Sequence, residues 1–282
     1  MISLAYDWRD PTLPIGALDS GLGGLSVLRE VRMALPREDL LFACDCGKAP
    51  WGDRSQGWIV ERVRKIAAFL VSKRVKAITV ACNTATAAAI EVLRSELPFP
   101  IIGIEPAVKP AARLTRNGTI GILATTGTIS SPRLQGLIDR YGKGCNILRM
   151  ACPGLMNRVE AGDFHSPETR EVLHQFIDPL IREGADTLVL GCTHYPFLAE
   201  EIRQIAGSSV TVIDPSRAVA HFLVERLEEE GLIRGIRGET PVERFWCTGE
   251  TAQKTAVLRH LWNDRAEMES LDEAWPSLSA QA

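Results

Sequence analysis

A long-range repeat constrains this chain more than any single motif. The stretches "KAITVACNTATAAAIEVLRSELPFPIIGIEPA" and "DTLVLGCTHYPFLAEEIRQIAGSSVTVIDPS" read alike. Each runs apolar strand, small residue, cysteine, polar pair, amphipathic helix, second apolar strand, then an acid before proline. Cys82 precedes Pro106 by 24 residues, and Cys192 precedes Pro215 by 23. The segments ahead of them also correspond. "IGALDSGLGG" (15–24) resembles "IGILATTGTI" (120–129), which sets Asp19 and Ser20 opposite Ala124 and Thr125. Such a chain is expected to fold as two similar halves.

Short, continuous apolar runs at 15–18, 40–43, 77–81, 101–104, 119–123, 146–150, 187–190 and 210–213 have the character of strands covered on both faces. Amphipathic helices fall between them. Val63, Ile66, Ala67 and Leu70 share one face, as do Val172, Leu173, Phe176, Ile177 and Leu180. Pro179 predicts a kink or break in the second. The alternation predicts an α/β fold of two pseudo-symmetric, doubly wound domains with mostly parallel sheets and an active site in the cleft between them. The first domain is expected to take 14–107 together with 218–265, the latter contributing a helix at 218–230 and a strand at 242–246. The second takes 108–217. Residues 266–282 read as a disordered tail.

The 282 residues carry a net charge of −3, which argues against a nucleic-acid surface. No apolar stretch approaches a membrane span, and the N-terminus lacks the basic-then-apolar order of a signal peptide. Seven cysteines without secreted-type spacing predict free thiols in a reduced, cytoplasmic protein.

In open parallel sheets, ligands bind beyond the carboxyl ends of the strands. Cys82 and Cys192 both fall there, each ahead of a predicted helix. A helix start offers free N–H groups and a positive dipole end, which lower a thiol's pKa. Two such thiols on opposite sides of one molecule can take a proton from one face of a carbon and return one to the other. A single cysteine is as readily a small buried hydrophobe, so the repetition carries the argument. Asn83, Thr84 and Thr193 can bind an anion, cap a helix, or both. His194 can polarise Cys192 or donate to a carboxylate. Asp19 can bind an ammonium group, orient a thiol or cap the turn that follows it; Ser20 can meet a carboxylate. The turn in "APWGDRS" exposes backbone N–H groups for a second carboxylate. Gly21, Gly23 and Gly24 allow close backbone approach but do not make a dinucleotide fingerprint, and the chain has neither a P-loop nor a nucleophile-elbow motif. Cys44 and Cys46, like Cys192 and His194, lack structural-zinc spacing. No metal is expected.

Six motifs in order, "LDSGLGGLSVLRE", "APWGDRS", "ACNTATA", "GTIGILATTGTISS", "LVLGCTHYP" and "VIDPS", followed by "FWCTGE", resemble those of the glutamate racemases in the aspartate/glutamate racemase family. The resemblance spans about 14–250. It implies cofactor-independent interconversion of L- and D-glutamate, supplying D-glutamate for peptidoglycan, in a homodimer. By that resemblance Cys82 is the base for D-glutamate, assisted by Asp19, and Cys192 the base for L-glutamate, assisted by His194. Ser20, Asn83, Thr84 and Thr193 hold the α-amino and α-carboxylate groups, and backbone at Pro50, Trp51 and Gly52 holds the side-chain carboxylate. Thr125, Thr128 and Glu160 fall in matching segments. The chain departs from the family pattern at Trp51 and Phe42, where tyrosine is usual. Two alternatives stay open: a racemase for aspartate or another acidic amino acid, and a non-catalytic sensor on the same fold.

Overall fold

The apolar runs become strands within a residue or two of their expected ends. The computed structural model describes residues 4–236, 238 and 240–274. In chain order the strands are β1 (Ile15–Asp19), β2 (Leu40–Cys44), β3 (Ala77–Val80), β4 (Ile101–Gly103), β5 (Thr119–Ala124), β6 (Asn146–Ala151), β7 (Thr187–Gly191), β8 (Thr211–Ile213), β9 (Glu243–Cys247) and β10 (Met268–Ser270).

They form two sheets, ordered β10-β9-β2-β1-β3-β4 and β6-β5-β7-β8. Every pairing is parallel. The order β2-β1-β3-β4 recurs as β6-β5-β7-β8, each strand advanced by four, so the sequence repeat is also a topological one. In each sheet the order reverses at the first strand of the repeat, β1 and β5. Crevices therefore open between the carboxyl ends of β1 and β3 and of β5 and β7. β1, β2, β3 and β7 are buried along their whole length, as their unbroken apolar runs require. β6 is an edge strand and only partly covered.

Helix Ser216–Glu229 packs on helix Leu25–Ala34, and β9 pairs with β2, so the chain after the repeat returns to the first sheet. Two expectations need correction. Residues 266–274 are not a disordered tail: β10 pairs with β9, followed by helix Leu271–Ala274, with Met268 and Leu271 buried. That strand is three residues long, too short for periodicity to mark it. The rest of the expected tail, 275–282, lies outside the described residues. Nor does Pro179 break its helix, which continues over Pro167–Arg182.

Candidate active site

Cys82 follows β3 by one residue and is the N-cap of helix Asn83–Glu96; its Sγ accepts from the Ala85 amide at 3.4 Å. Cys192 directly follows β7. It does not begin an α-helix: the chain makes a short 3-10 turn, Tyr195–Leu198, before helix Ala199–Ala206. The structure brings Ser20, Trp51, Gly52, Cys82, Asn83, Thr84, Thr125, Cys192, Thr193 and His194 around one small, nearly closed cavity of about 10 Å³. A wider groove lined by Arg94, Phe99, Phe222 and Arg226 contains none of these groups.

The cavity lies where the two halves meet. Thr84, from the first half, shares hydroxyl hydrogen bonds with Thr125 (3.0 Å) and Thr128 (3.4 Å) from the second. Thr193 donates to Asp19 Oδ2 at 3.2 Å, and Ser26 donates to the Thr193 carbonyl at 2.9 Å. The turn bearing the cis Ala49–Pro50 bond presses on the same seam. A Cβ on Gly52 would stand 2.9 Å from the Thr125 Cβ, which explains glycine there. Asn83 is 5 % exposed, yet neither Nδ2 nor Oδ1 has a hydrogen-bond partner, and Trp51 Nε1 is also unpartnered. Buried amide groups left unpaired cost on the order of 1–3 kcal/mol. The arrangement is therefore built for a polar ligand that offers both an acceptor and a donor.

Asp19, Thr128 and Glu160 stand one hydrogen bond behind the lining. Pro50 is half-buried outside it. Asp19 accepts from the amides of Ser20 and Gly24, both at 2.5 Å, and from the Ser20 hydroxyl at 3.2 Å. Burial raises its carboxyl above the usual range, against the opposing pull of His194. Burial first, and then the Asp19 charge, push the Cys82 thiol well above its ordinary value. This corrects the expectation of a thiol lowered by the helix start. The Ala85 amide does act in that direction but is outweighed. Cys82 thus rests as a neutral thiol, with Ser20 Oγ at 3.6 Å.

The other side is charged. His194 is wholly buried, with Nδ1 3.6 Å from Cys192 Sγ and Nε2 2.8 Å from Glu160 Oε1. Burial works against an imidazolium, but the hydrogen bonds to Cys192 and Glu160 outweigh it and hold the pKa well above the ordinary histidine value. Glu160 also accepts from the Leu22 amide at 2.5 Å and from Lys254 Nζ at 2.5 Å. Burial alone would raise its carboxyl; His194 and then Lys254 bring it down to about 2. A depressed carboxylate contributes stability above its unfolded pKa and loses it as pH falls through the folded one. The Tm gap between the parent protein and Glu160→Gln is accordingly expected to be widest near pH 5–6 and to shrink from about pH 4.5 towards 2 as Glu160 takes a proton, as read by thermal melts between pH 2 and 6.

Three contributors were not among the expected site residues: Gly191, which lines the cavity just before Cys192, Met156 and Lys254. Met156 lines the cavity one helical turn before Glu160 on helix Leu155–Glu160; the i, i+4 relation to Glu160 was its signal. Lys254 has no local signal, because it comes from helix Thr251–Leu261, 94 residues after Glu160. Cys44 and Cys46 lie together, Sγ to Sγ 3.5 Å, outside the cavity lining. No group of His, Cys, Asp and Glu among the described residues has a metal-binding arrangement.

Residues 47–223 match the family model for Asp/Glu/Hydantoin racemases. The glutamate racemase of Stutzerimonas stutzeri is 46 % identical over 261 residues, spanning 92 % of this chain and 98 % of that protein. A glutamate racemase isoform of Bacillus anthracis superposes with a TM-score of 0.83 at 32 % identity, over 94 % of this chain and 99 % of the other. Escherichia coli glutamate racemase, solved with L-glutamate and the activator UDP-MurNAc-ala, gives 0.81 at 33 % identity over 92 % and 98 %.

Proposed function

The chain belongs to the Asp/Glu/Hydantoin racemase family, and from that premise we propose that it interconverts L- and D-glutamate by proton transfer between two cysteine thiols and the α-carbon, without a cofactor. One observation carries the reading: Cys82 and Cys192, at equivalent strand ends of the two halves, line the same small cavity around an unpartnered Asn83 amide.

The α-proton of an amino acid is a very weak acid, so charge moving onto the carboxylate needs donors already in place. Asn83, Thr84, Ser20 and Thr193 supply them at the α-amino and α-carboxylate groups, and backbone at 50–52 with Thr125 receives the side-chain carboxylate. In the direction from L-glutamate Cys192 is the base, with His194 Nδ1 3.6 Å from its Sγ, and Cys82, held as a thiol by burial and Asp19, is the acid. Cys192 then takes the proton from L-glutamate while Cys82 delivers its own to the opposite face. The enzyme is left with a Cys192 thiol and a Cys82 thiolate, ready for D-glutamate. Burial and Asp19 make that second thiolate a strong base, which favours the return step. Enclosure excludes water and strengthens each of these contacts.

We assign 14–107 with 218–265 to one domain and 108–217 to the other. We further propose that the protein works as a cytoplasmic homodimer supplying D-glutamate for peptidoglycan. The test is incubation with D-glutamate in D₂O, followed by NMR and optical rotation. Deuterium is expected at the α-carbon together with loss of rotation, and much more slowly with D-aspartate. Tight glutamate binding without exchange would sink the reading in favour of a sensor.

A further inference from the structure

We propose that Lys254 is a positioning residue for the Cys192 base, acting through Glu160 and His194; the inference rests on the two-thiol reading above. A continuous line of contacts supports it. Lys254 Nζ lies 2.5 Å from Glu160 Oε2 and 3.1 Å from the Glu160 carbonyl. Glu160 Oε1 lies 2.8 Å from His194 Nε2, and His194 Nδ1 lies 3.6 Å from Cys192 Sγ. Lys254 does not line the cavity and so has no contact with a molecule in it. The two carboxylate oxygens have separate duties: Oε1 takes His194 and the Leu22 amide, and Oε2 takes Lys254.

The side chains of Lys254, Glu160 and His194 are 15 %, 10 % and 2 % exposed, so water does little to replace a lost partner. Without Lys254, Oε2 is left with an unmatched buried charge, which the carboxylate relieves by rotating or by taking a proton. Either response loosens the bond that orients His194 against Cys192. The pair also joins the halves. Lys254 stands on the helix between β9 and β10, and Glu160 on the helix after β6. Full orientation of the Cys192 side is thereby tied to apposition of the two halves.

The test compares Lys254→Met and Lys254→Arg, each also built on Glu160→Gln, with thermal melts alongside; Lys254→Gln takes the place of methionine if that variant does not fold. Lys254→Met is expected to lower kcat about tenfold or more while KM stays within about twofold. Lys254→Arg is expected to recover most of the loss, and Lys254→Met to cost nothing further on Glu160→Gln. Unchanged kcat, a loss confined to KM, additivity with Glu160→Gln, or arginine no better than methionine would each overturn the proposal. The two levels of failure are separable. An active Cys192→Ser enzyme removes the underlying reading, whereas an inactive Cys192→Ser beside a fully active Lys254→Met removes this inference alone.

Discussion

Cys82→Ser and Cys192→Ser are each expected to abolish racemisation, with kcat/KM falling by at least about 10³-fold, within the span ascribed to a general acid or base. A serine hydroxyl is far less acidic than a thiol, so it neither rests as a base nor gives up its proton readily to a carbanion. Folding should survive. Serine is a good N-cap and can accept from the Ala85 amide as Cys82 does, and it is smaller than the cysteine it replaces. The two enantiomers have equal free energy in water, so kcat/KM must fall by the same factor in both directions for either variant. Polarimetry from each enantiomer with a parallel thermal melt measures this. If either folded variant kept more than a tenth of parental activity, the two-thiol mechanism would be untenable.

Gly23→Ala should be nearly as damaging, although residue 23 contacts no substrate in this reading. An added Cβ would sit inside the van der Waals shell of the His194 ring, close to Nδ1, Cε1 and Cγ. His194 cannot withdraw freely: it is 1 % exposed, with Nε2 on Glu160 and Nδ1 facing Cys192. The ring or the glycine turn must move, and displacement of a catalytic group by about 1 Å can cost on the order of 10²-fold. The expected result is a kcat lower by about that factor with a modest change in KM. A crystal structure of the variant should show the imidazole displaced from Cys192. Parental kcat in a folded Gly23→Ala protein would mean that the His194–Cys192 contact matters little to turnover.

The glycine illustrates where sequence reading stops. In "LDSGLGG" the three glycines signal close approach of backbone to something. For Gly23 that neighbour is His194, 171 residues away. Asn83, Thr84, Thr193 and His194 were legible as candidates because each flanks a repeated cysteine at a strand end. The cavity lining includes all four. Pro50 was chosen with its neighbours from a turn motif, but only Trp51 and Gly52 of that turn reach the lining. The short β10 and the absence of a break at Pro179 share a reason: three-residue strands and the persistence of a helix through a proline are governed by their surroundings rather than by local pattern.

Alternating apolar runs and helical periodicity are local, and they determined the α/β class, the parallel sheets and the placing of a cysteine after β3 and another after β7. The repeat carried this one step further, to two halves of like topology. Only the tertiary structure decided the electrical character of the two sides. Cys82 is pushed up by burial beside Asp19, while Cys192 faces a buried imidazole whose pKa is raised by its contacts with Cys192 and Glu160, with Lys254 behind Glu160. Such differences arise from desolvation and from charges brought together across the fold. Neither is encoded in the spacing of residues along the chain.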